Sequence, residues 1–69
     1  MTANEALDSY LKSLTSAQRF QISREICASC YIRRHIMYNW RHGLSKIPLL
    51  ARDKINEIVG RNIFTNVDN

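Results

Sequence analysis

SREICASCYIRRHIMYNWRHG, residues 23–43, is the stretch that decides how this chain folds. On a helical wheel at about 100° per residue, Ile36, Met37 and Trp40 share one apolar stripe. Arg34, His35, Tyr38, Asn39 and His42 occupy the opposite side. Upstream, Ile26, Cys27 and Cys30 recur at i, i+1 and i+4, the buried side of another short helix. Ile32 stands between the two, placed to plug the corner. Gly43 follows the last periodic residue, where a left-handed residue closes a helix at little cost. The pattern predicts two short helices around a tight turn at residues 30–32, the second running over residues 33–42 with a basic, polar face.

Charge singles out the same stretch. The net charge of +4 lies wholly within residues 23–46, where Arg24, Arg33, Arg34, Arg41 and Lys46 oppose only Glu25. The flanking segments, 1–22 and 47–69, each balance to zero. Positive charge gathered on one element is the electrostatic footprint of a polyanion binder; a merely solvated basic helix is the alternative it must be weighed against.

Outward from this stretch, the chain reads as helix throughout. Thr2 and Glu5 fit a capping box, so a helix begins near residue 3, with Leu7, Tyr10, Leu11 and Leu14 on its inner face. Thr15, with Gln18 three residues on, offers the next cap. Residues 17–29 then form either one helix or two with a break near Ile22 and Ser23; Phe20, Ile22, Ile26, Cys27 and Cys30 fall on one broad face. Residues 43–47 make a loop, and Pro48 suits the first turn of a further helix. That helix carries Ala51, Ile55, Ile58 and Val59 inward and stops at Gly60. The expected fold is an all-α domain of four or five short helices over residues 1–64, with room for one short strand at 62–67. Residues 65–69 are expected to form a flexible polar tail.

At 69 residues the chain is one domain with a modest core. No apolar run approaches the ~18 residues of a membrane span. The first residues carry acids where a secretion signal needs bases, which points to the cytoplasm. Catalysis has no candidate: no Ser/His/acid set, paired carboxylates or phosphate-binding glycine loop is visible, and no cofactor motif. Cys27 and Cys30 with His35 and His42 invite a zinc reading. Metal knuckles normally sit on turns, however, and here the cysteines occupy core positions while the histidines point to the other side of the second helix. A redox pair would need a βαβ setting that is missing.

With these residues in place, residues 23–43 resemble the helix-turn-helix of phage Cro and repressor proteins, the XRE-like group. Ile26 and the small Cys27 stand where the family has an apolar and then a small residue in the first helix. Cys30 and Ile32 flank the turn, Met37 and Trp40 match the inner positions of the second helix, and Gly43 and Pro48 punctuate the loop to the next one. The match runs from residue 23 to about residue 60. Two positions depart from it. Tyr31 stands where the family usually has Gly, and Arg33 where it has a Ser or Thr cap.

The resemblance implies sequence-specific binding to duplex DNA by a transcriptional regulator, with the second helix in the major groove. It places Arg33, Arg34, His35, Tyr38 and Asn39 toward base edges, where Arg and Asn have bidentate partners in guanine and adenine. Ser23, Arg24, Arg41, His42 and Lys46 fall toward phosphates, which position without specifying. It also implies a homodimer on a palindromic operator, for which Ile58, Val59, Ile63 and Phe64 are the expected contact surface; the alternative is that Ile63 and Phe64 fold back against Leu7 and Leu11 and complete a monomer core. The rival function is a small helical adaptor, or an antitoxin, gripping an acidic protein through the same face.

Overall fold

A computed structural model describes residues 1–65 and Val67. Among them are four helices and no strand: α1 (Ala3–Lys12), α2 (Ser16–Cys30), α3 (Arg34–Arg41) and α4 (Leu49–Val59). The all-α expectation holds, and the short strand anticipated at 62–67 is not found among the described residues of that stretch. Of the tail expected at 65–69, Asn66, Asp68 and Asn69 lie outside the described residues, while Val67 packs half-buried against the core.

Local chemistry fixes the helix starts. Thr2 and Glu5 form the reciprocal capping box of α1, and Thr15 and Gln18 that of α2, so two orphan amides are satisfied at each end. At the other end of α1, the Arg19 guanidinium donates to the carbonyls of Leu11 (2.9 Å) and Leu14 (3.1 Å), tying the corner between α1 and α2. With Thr15 capping it, α2 runs unbroken past Ile22 and Ser23 for 15 residues. Phe20 does not join its inner face. It is exposed, with the Arg24 guanidinium 5.6 Å above its ring.

The core gathers Leu7 and Leu11 of α1, Ile26 of α2, Met37 and Trp40 of α3, and Ala51 and Ile55 of α4, joined by Ile47 from the loop. Within this arrangement α1 packs on α3, and α2 packs on both α3 and α4. Cys27 and Cys30, expected at core positions, are only half-buried.

The C-terminal segment corrects a second expectation. Phe64 is 9% exposed and belongs to the core, with Ile58, Val59 and Ile63 packed beside it. Asn56 on α4 turns the chain back. Its Oδ1 accepts the Ile63 amide (3.0 Å), and its Nδ2 donates to Asn62 Oδ1, which also accepts the Phe64 amide (2.9 Å). Arg61 lies over the Tyr10 ring of α1 at 5.5 Å. Phe64 therefore belongs to the monomer core and not to a contact surface, while Ile58, Val59 and Ile63 stay half-buried beside it. Phe64→Asp should lower the unfolding midpoint steeply, because it buries a charge and removes a ring worth about 3–5 kcal/mol. A variant that kept the wild-type midpoint in thermal denaturation would put Phe64 back on the surface.

Candidate functional site

The turn between α2 and α3 is built on Tyr31. It is the one described non-glycine residue with positive φ, at 56°, and its side chain is 95% exposed. The left-handed conformation costs an L-residue roughly 1–2 kcal/mol. The Ile32 amide reaches back to the Cys27 carbonyl (3.0 Å), closing α2 in the manner of a Schellman ending. Ile32 is half-buried at the corner, as expected, and Arg33 then occupies the N-cap position of α3 with no side-chain cap hydrogen bond.

At its start α3 runs against local preference. Its first turn holds no acid, and Arg33 and Arg34 set positive charge at the positive end of the helix dipole. Its far end is well closed. Gly43 takes φ 71°, the Leu44 amide bonds the Asn39 carbonyl (2.9 Å), and the Gly43 amide reaches Trp40 (3.5 Å).

What holds α3 is α1. Asn4 Nδ2 donates to the carbonyls of Trp40 (2.8 Å) and Ser45 (2.7 Å). Asp8 Oδ1 accepts from Arg41 Nε at 2.8 Å, while its Oδ2 pairs with Lys12 at 3.0 Å. Burial raises the Asp8 carboxyl, but hydrogen bonds from Lys12 and Arg41 and the charges of both outweigh it, holding the group below its ordinary value.

Arg33, Arg34, His35 and Tyr38 are exposed on α3, as are Arg24, His42 and Lys46 around it. Asn39 and Ser23 are half-buried. Tyr38 and His42 stack one turn apart, ring centroids 4.0 Å from each other. Arg41, read from the sequence as a phosphate ligand, is half-buried and committed to Asp8. Neither Asp8 nor Asn4 was singled out in the sequence. Both sit on the outer side of a regular amphipathic helix; Asp8 meets Lys12 within α1, but only the approach of α3 brings it Arg41 and brings Asn4 its two carbonyls.

Among the described residues, no three His, Cys, Asp or Glu side chains gather as a metal site. Burial pushes both thiols up, with the charge of Arg34 opposing it in part at Cys27 and that of Lys54 at Cys30. Nor is any helix among the described residues long and apolar enough to cross a membrane. No family model, curated protein or solved structure matches the chain.

Asp8 contributes stability above the ordinary carboxyl value, about 3.9, and loses it as pH falls through its lower folded value. Asp8→Asn should therefore cost about 1–2 kcal/mol at neutral pH. Denaturant titrations of variant and wild type should converge below about pH 4. A gap that stayed constant into strong acid would contradict the ion pair.

Proposed function

We propose that this protein binds duplex DNA sequence-specifically, as a transcriptional regulator, with α3 entering the major groove. The observation that carries this is the exposed side of α3, where Arg33, Arg34, His35 and Tyr38 stand together without a carboxylate. A helix of eight residues, about 12 Å long, projects them from a framework that holds its other side. The absence of a cap at Arg33 favours the same reading. A locally unfavourable residue in an otherwise consistent sequence marks a place shaped by something other than stability.

In this arrangement Arg34 and Asn39 read base edges, Arg33, His35 and Tyr38 flank them, and Ser23, Arg24, His42 and Lys46 meet phosphates. A homodimer on a palindromic site is part of the proposal, since one short helix spans few base pairs. Phe64 takes no part in its interface. An acidic protein would be drawn to the same charges, but without the steep salt dependence that counterion release gives to DNA.

Selection from random duplexes tests the proposal, and an enriched motif is expected. On that motif Arg34→Ala and Asn39→Ala should each cost about 1–3 kcal/mol, with non-specific binding much less affected by Asn39→Ala. Unchanged site preference in both variants would refute the recognition role of α3, and failure to enrich any motif would favour the protein partner. Arg33→Ser separates stability from function: it should raise stability by about 1 kcal/mol by capping α3 while weakening duplex binding. Tighter binding together with higher stability would show that Arg33 does not touch DNA.

A further inference from the structure

Between α2 and α3 lies an open groove of about 620 Å³. That size is within the roughly 300–1,000 Å³ of small-molecule sites. Its floor is Cys27 and Met37, the first half-buried and the second buried, so the groove is carbon-lined at depth. One bank is Phe20 with Arg24 stacked above it; the other is the Tyr38–His42 ring pair. Arg34, exposed on the first turn of α3, lines the groove as well.

The four arginines that line this groove differ in what they already hold. Arg19 is occupied by the Leu11 and Leu14 carbonyls and Arg41 by Asp8. Arg24 and Arg34 form no ion pair with any carboxylate among the described residues. The groove therefore offers aromatic faces on two sides, an apolar floor, and two guanidinium groups uncommitted to an acid. A hydrated phosphate would use only the guanidinium groups and gain nothing from the floor. A neutral ring would take cation–π contact but leave the hydrogen-bonding capacity of the arginines unused.

We propose that this groove binds a small planar aromatic anion, its ring between Phe20 and Tyr38 over Met37 and its charged group on Arg24 and Arg34. Cation–π contact and charge-assisted hydrogen bonds act together on such a ligand. Arg34 and Tyr38 also belong to the surface assigned to DNA, so under that reading the ligand and the duplex exclude one another. Direct ligand binding is independent of it.

The test is a titration of the full chain with 1-naphthylacetate, followed by amide and side-chain chemical shifts, with 1-naphthylacetamide as the uncharged control. Saturable one-to-one binding is expected, with shifts centred on Phe20, Cys27, Met37 and Tyr38. The amide, and the acid on the Arg24→Gln, Arg34→Gln double variant, should each bind at least about tenfold more weakly. Both arginines are exposed and in no ion pair among the described residues, and Arg34→Gln lifts a charge from the positive end of α3, so the double variant should stay folded with an unfolding midpoint no lower than the wild type's. Shifts that do not saturate, shifts centred elsewhere, or equal affinity for acid and amide would overturn the proposal. So would unchanged affinity in the double variant.

Discussion

The clasp between α1 and α3 is the constraint on which the rest depends. A helix of eight residues is too short to stand alone, since isolated helices below ~12–15 residues are marginal in water. The missing cap costs α3 about 0.5–2 kcal/mol, and the arginines at its start oppose it by about 0.3–1 kcal/mol each. Burial of Trp40 alone, worth about 3–5 kcal/mol against alanine, exceeds either cost. Met37 adds to it, and Asn4 and Asp8 then fix where the buried side rests on α1. Tertiary packing, not propensity, makes α3 a helix, which leaves its outer side free to carry residues chosen for other reasons.

The turn at Tyr31 sets the other boundary. Left-handed backbone at a tyrosine is unfavourable, yet it lets α2 end and α3 begin within three residues, with Ile32 turned into the corner. The ring itself is almost wholly exposed and contributes little burial there. Because α2 also packs on α4, the direction of α3 is fixed from two sides, by α1 and by the turn from α2. The exposed side of α3 and the groove beside α2 are thus two consequences of one placement. Arg34 and Tyr38 serve both.

Much of this was legible in the residues because the signals are local. The Thr2–Glu5 and Thr15–Gln18 boxes, the Met37 and Trp40 positions, Gly43, Pro48 and Gly60 each announce a boundary or a buried side within a few residues. The continuity of α2 was not legible. Its apolar residues are spread round the helix, Ile26 alone is fully buried, and Phe20 at the edge of the broad face emerges into solvent. Interactions between distant segments were also hidden. Asp8 gives no sign of Arg41, 33 residues on. Ile63 and Phe64 fit either a contact patch or a core cover, and only the turn that Asn56 makes in the chain puts Phe64 inside. Within the candidate site, exposure agreed with the wheel for Arg34, His35, Tyr38 and His42, whereas Asn39 lies partly covered at its flank.

The most direct test is a chemical-shift map of the full chain with a selected duplex and with a scrambled one of equal length, at physiological salt. The account predicts that the selected duplex moves most the amides and side chains of Arg34 and Asn39, with Arg33, His35 and Tyr38 around them, that Ser23 and Arg24 follow, and that the scrambled duplex moves chiefly the latter pair. Equal maps for the two duplexes, or a map centred on exposed Leu49 and Leu50 with α3 unmoved, would contradict it.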